Sequence, residues 1–229
     1  MIITIDGPAA SGKSTSAKLL ADKLKFLYLD TGAMYRCIAL SVIKDQIDIH
    51  NEQSLGDFMI KFKLELITKD GVSGYLVNGV NVSKEIRSSF VSKKVSEISA
   101  IPVIREYMVK KQRDFAKNTN CVVEGRDIGT VVFPEATIKF FIIASVEVRA
   151  KRRQLDLQKI GEEVALEDLK EDIETRDRYD SERRHSPLKK AFDAIEIDTT
   201  NMTLEQQLGV MIRNVNLKNK QEKIINEHY

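Results

Sequence analysis

The 229-residue sequence has no tryptophan, two cysteines, four prolines and three histidines. Each scarcity excludes something. Cys37 and Cys121 stand in apolar stretches without metal-ligand spacing, so they read as reduced core thiols rather than a disulfide framework. His50, His185 and His228 show no mutual spacing for a triad or a zinc site and read as surface or structural residues. No stretch approaches the roughly 20 apolar residues needed to span a bilayer. No basic segment followed by an apolar run opens the chain, so a soluble cytoplasmic protein without membrane contact is expected. Only 7% of residues are aromatic, and Lys+Arg 36 against Asp+Glu 34 leaves a net charge of +2. A nucleic-acid-binding ATPase would need a basic stripe with stacking rings, so no nucleic-acid partner is expected. Internal repeats and low-complexity segments are also missing.

What is present begins at once. The apolar run Ile2-Ile3-Thr4-Ile5-Asp6 leads into Gly7-Pro8-Ala9-Ala10-Ser11-Gly12-Lys13-Ser14-Thr15, which fits G-x-x-x-x-G-K-[ST] and is followed by a helical pattern. In such a loop glycines let successive backbone N–H groups turn around phosphate oxygens. Lys13 reaches the β/γ-phosphates, and the Ser14 hydroxyl ligates Mg²⁺. The bare pattern arises by chance in roughly one chain per hundred of this length, and the strand-before, helix-after context lowers that further. The loop alone does not say what is done to the phosphate.

Periodicity supplies the frame. Lys13 to Leu24 reads as a helix, Phe26-Leu27-Tyr28-Leu29 as a short strand, and Ala33 to Ile43 as a second helix, for which Asp30 and Thr31 are plausible caps. From Phe62 to Val82, alternating residues, Asp70-Gly71 and the Asn78-Gly79 turn pair predict a small antiparallel meander. Helical patterns then run from Val91 to Ala100 and, after Pro102, to about Asn118. Cys121-Val122-Val123, Ile138 to Ala144 and Ala194 to Asp198 are strand candidates, with Val146 to Lys159 and a stretch from Leu204 helix-prone. The polar tail from Lys218 to Tyr229 is expected to fray. Five short apolar strands alternating with helices predict an α/β fold with a five-stranded parallel sheet covered on both faces.

Arginine placement is the second clue, because the planar guanidinium suits phosphate. Arg36 and Arg126 fall after strands, at the carboxyl ends where open α/β sheets bind ligands. Arg176, Arg178, Arg183 and Arg184 occupy a late charged run.

Gly7 to Thr15, Asp30-Thr31-Gly32-Ala33-Met34-Tyr35-Arg36, Gly125-Arg126-Asp127-Ile128-Gly129-Thr130-Val131-Val132-Phe133-Pro134 and Arg176-Asp177 with Asp180 and Arg183 together resemble the bacterial cytidylate kinases. The resemblance runs in order to about Thr200. It implies one P-loop kinase domain over residues 1–229, an inserted nucleotide-binding subdomain at about 60–90 and a lid at about 154–166. It implies a loop, Gly7 to Thr15, for ATP. Thr31, Arg36, Arg126 and Arg176 would hold the acceptor phosphate with Tyr35 nearby, and Lys13, Arg126 and Arg176 would serve catalysis. Ser96, Arg105 and Asp127 would read cytosine, with Asp180 and Arg183 on the pentose or base. Arg152 and Arg153 are candidates for closing over ATP. Two residues depart from the family pattern, Glu124 and Glu135, where aspartate is usual.

The chemistry agrees with that carry-over. Asp127 and Ser96 can accept from the exocyclic amine of cytosine while Arg105 donates beside it. Uracil would set an oxygen against the Asp127 carboxylate, a buried mismatch with a large penalty. The implied reaction moves the γ-phosphoryl of Mg·ATP to CMP or dCMP, with those nucleotides as partners and the chain acting as a monomer. A kinase for UMP or a shikimate-like acceptor is the alternative. A guanine-reading GTPase is disfavoured, since Asn219-Lys220 is followed by Gln221 and Glu222 rather than completing Asn-Lys-x-Asp.

Overall fold

The computed structural model describes residues 1–69, 72–159 and 161–227. The expected turn at Asp70-Gly71, together with His228, lies outside them. The chain forms two compact units, one of residues 1–28 with 119–229, the other of residues 29–118.

Its main sheet is the one the alternating pattern predicts. Strands β1 (Ile2–Asp6), β2 (Leu27–Asp30), β6 (Cys121–Gly125), β7 (Ile138–Ile143) and β8 (Ile195–Asp198) lie in the order β2-β6-β1-β7-β8. β1 pairs in parallel with both β6 and β7, and β7 with β8. A central strand covered on both faces must be apolar throughout, and Ile3, Ile5, Val122 and Phe140 are fully buried. They pack with Ala17 and Leu20 of α1 (Lys13–Leu24) and with Met211 and Val215 of α8 (Leu204–Glu227). The tail expected to fray instead continues α8 as far as Glu227. A smaller cluster joins Ala150 and Leu157 of α6 (Val146–Gln158) to Leu169 and Ile173 of α7 (Leu166–Glu182).

The second unit carries α2 (Thr31–Lys44), α3 (Glu52–Lys61), the antiparallel strands β3 (Leu64–Lys69), β4 (Val72–Val77) and β5 (Val80–Asn81), α4 (Ser89–Ser99) and α5 (Pro102–Ala116). The predicted meander is thus present, in the order β3-β4-β5. Asp30 caps α2 as expected, accepting from Ala33 N at 2.7 Å. Helix α3, to which the sequence analysis assigned nothing, is capped by Asn51, which accepts from Ser54 N at 2.9 Å. Phe58, Phe62 and Tyr107 stack in a row with ring centroids 5.6 and 5.7 Å apart, and the Tyr107 hydroxyl donates to Phe62 O. Both cysteines are free and fully buried, and burial pushes the Cys37 thiol up to about 12 and Cys121 to about 11.

Candidate active site

The phosphate-loop pattern occupies the turn from β1 to α1. At Gly7 a Cβ would stand 2.1 Å from the backbone oxygen of Ile142, so no side chain fits there. Gly12, at φ +92°, turns the chain into α1 in a conformation L-residues rarely adopt. Beyond it the first amides of α1 have no intrahelical acceptor and carry the positive end of the helix dipole. Lys13 donates to Pro8 O at 3.2 Å, across the mouth of its own loop.

Side chains from later in the chain brace the loop. Arg152 donates to Ser11 O at 3.1 Å and to Thr199 O at 2.8 Å, and Arg149 donates to Ala9 O at 3.2 Å and pairs with Asp177. Asp177 also accepts from Ala9 N at 3.4 Å. The sequence makes Arg152 and Arg153 candidates for closing over ATP and assigns nothing to Arg149 or to the Asp177 carboxylate. Nothing local could have revealed these contacts, since each spans about thirty to 170 residues.

Glu124, the next-to-last residue of β6, accepts from the Ser14 hydroxyl at 2.7 Å through one oxygen and from the Tyr28 hydroxyl at 2.5 Å through the other. The Ser14 proton is thereby spent on the carboxylate and its lone pairs are left for a cation. A hydroxyl beside a carboxylate is the oxygen donor set that Mg²⁺ takes together with nucleotide phosphates. The residues present therefore fit the metal expected with ATP.

Where β6 ends, Arg126 donates to Asp180 Oδ2 at 2.8 Å. Asp127 is buried, with its Oδ1 3.8 Å from the Arg183 guanidinium, and Arg183 also lies 3.9 Å from Asp180. Arg176, Asp180 and Arg183 follow at intervals of four and three residues, which puts them on one face at the end of α7. Burial opposes ionisation of Asp180, but the Arg126, Arg176 and Arg183 guanidiniums outweigh it and hold the carboxyl below its ordinary value. Arg178 and Arg184 of the same run are exposed. Five of the expected acceptor residues, Arg126, Asp127, Arg176, Asp180 and Arg183, thus lie in the first unit.

The others lie in the second unit. Thr31 is buried at the N-terminus of α2, and Arg36, one turn on, donates to Asp30 Oδ2 at 3.2 Å. The Arg105 guanidinium lies 5.5 Å from the Tyr35 ring centroid and donates to Ser99 O at 2.9 Å. Ser96 is half-buried on α4, preceding Arg105 on α5.

The family model described as "Cytidylate kinase" matches residues 3–217. A protein named cytidylate kinase from Lactobacillus gasseri is 46% identical over 220 residues, covering 96% of each chain. Another so named, from Bacillus thuringiensis, is 46% identical over 204 residues, covering 89% of this chain and 91% of its own. With a family match spanning nearly its whole length and the phosphate loop, basic cluster and buried carboxylate each formed by the matched residues, this chain belongs to the cytidylate kinase family.

Proposed function

We propose that the protein catalyses transfer of the γ-phosphoryl group of ATP to CMP and dCMP, yielding CDP and dCDP. The observation that carries this reading is the family match over residues 3–217. Ser14 and Glu124 would hold Mg²⁺, which would supply charge neutralisation between the phosphates. The loop Gly7 to Thr15 takes the ATP phosphates through its amides, and Lys13 turns from Pro8 O to the β/γ-phosphates.

The acceptor is a phosphate monoester with a second pKa of about 6, so it is already a nucleophile near neutrality and needs no strong base. What remains is to bring two repelling anions into line. Thr31, Arg36, Arg126 and Arg176 bind the acceptor phosphate, with Tyr35 beside it. Ser96, Arg105 and Asp127 read the cytosine edge, while Asp180 and Arg183 contact the pentose or base. The buried Asp127 carboxylate, 3.8 Å from the Arg183 guanidinium, supports this assignment, because its oxygens can accept from the cytosine amine. Residues at about 60–90 form the acceptor subdomain, and those at about 154–166 the lid that excludes water. A single copy of the chain acts in the cytoplasm.

ADP production with ATP and CMP, dCMP, UMP, AMP, GMP or shikimate, measured in parallel, tests the assignment. CMP and dCMP are expected to be turned over with kcat/KM at least about tenfold above every other acceptor. Equal turnover of UMP, or a preference for shikimate, would refute it.

A further inference from the structure

Asp6 is the last residue of β1 and sits beside Gly125 of β6 in the sheet register. It is only 4% exposed. Its two carboxylate oxygens accept from successive backbone amides of the first unit, Ile128 N at 2.9 Å and Gly129 N at 2.7 Å. These amides open the short π-helix Ile128–Val132, whose N-cap position is Asp127. An aspartate in that position ordinarily caps its own helix. Here the Asp127 side chain makes no capping bond and its carboxylate stands beside Arg183 instead.

We infer that Asp6 is a positioning residue for acceptor recognition: by capping the turn after β6 from a neighbouring strand, it commits the Asp127 carboxylate to the cytosine-reading position. This rests on the proposed base-reading role of Asp127. Gly129 shows how closely the turn is drawn in, because a Cβ there would stand 3.0 Å from Thr4 Oγ1 and 3.1 Å from Lys139 Cδ. A buried carboxylate beside a second one is an expensive way to satisfy two amides, and burial pushes Asp6 up to about 7. A neutral cap would stabilise the turn at lower cost. Only a full carboxylate, however, accepts at both oxygens and leaves neither amide to compete for Asp127.

The test compares Asp6→Asn, Gly129→Ala and Asp127→Ala in the full-length protein. For each, KM for ATP, KM for CMP and the CMP-over-UMP ratio of kcat/KM are measured, with a thermal melt to establish folding. In Asp6→Asn the amide N–H₂ faces a backbone N–H, so one capping bond is lost. The expected result is a CMP KM raised about tenfold and a CMP-over-UMP ratio lowered about tenfold, with the ATP KM within about twofold of wild type. Gly129→Ala keeps the Asp6 carboxylate but crowds it, the new Cβ standing 3.3 Å from Asp6 Oδ2; it is expected to reproduce this pattern and decides the matter should Asp6→Asn not fold. Equal rises in both KM values, or an unchanged ratio in a folded protein, overturn the inference. If Asp127→Ala loses the ratio while the other two keep it, the inference alone fails. If Asp127→Ala keeps the ratio, the base-reading role falls and the inference falls with it.

Discussion

The Asp6 carboxyl makes the stability of this protein depend on pH in an unusual direction. Its ordinary value of 3.8 is raised to about 7, chiefly by burial, with a smaller contribution from Asp127; the Gly129 and Ile128 amides and Arg126 pull the other way. A carboxyl whose folded value lies above its unfolded one binds a proton more tightly in the folded state. Its stabilising contribution is therefore fully present below about pH 4 and is lost as pH rises through about 7. Each pH unit between those limits is worth about 1.4 kcal/mol, so lowering the pH from 8 to 5 adds roughly 2.5 kcal/mol. For a chain of this length that corresponds to about 5–10 °C in Tm. The comparison with Asp6→Asn isolates the site, because every other titrating group is common to both proteins. Urea unfolding at pH 5 and pH 8, without nucleotide, should show wild type gaining roughly 2.5 kcal/mol on the variant at the lower pH. If the difference between the two proteins is the same at both pH values, the carboxyl is not raised and the reasoning fails.

Two further outcomes follow from single contacts. Tyr28→Phe deletes the hydroxyl that donates to Glu124 at 2.5 Å, leaving the carboxylate less firmly held against Ser14. The Mg²⁺ concentration giving half-maximal ADP binding, followed by calorimetry, is expected to rise about tenfold, and an unchanged Mg²⁺ titration would contradict this positioning. Gly7→Ala forces a methyl to within 2.1 Å of Ile142 O at φ +152°, so it should cost about 3 kcal/mol or more in urea unfolding. A cost below about 1 kcal/mol would show that β7 yields easily at this point.

By itself the sequence determined the features that depend on local spacing and on burial along one element. The loop Gly7 to Thr15, the apolar strands at Ile2, Val122, Phe140 and Ile195, and the helix over Lys13 to Leu24 are legible because period and turn chemistry act over a few residues. Family resemblance extended this to Arg36, Asp127 and Arg183. Helix α3 was passed over although Leu55, Phe58 and Met59 recur at helical spacing behind the Asn51 cap, and α7 escaped because its sequence is mostly charged.

Only the tertiary structure decided how polar groups distant in sequence share their partners. Strand order sets β1 between β6 and β7, and this brings Asp6 to the amides of Ile128 and Gly129, some 120 residues away. The same sheet sets Tyr28, Glu124 and Ser14 in one chain of hydrogen bonds, and the α6–α7 pair delivers Arg149 and Asp177 to Ala9. A buried donor or acceptor must be paired somewhere, but which group pairs it is a property of the assembled layers and leaves no periodic trace in the chain.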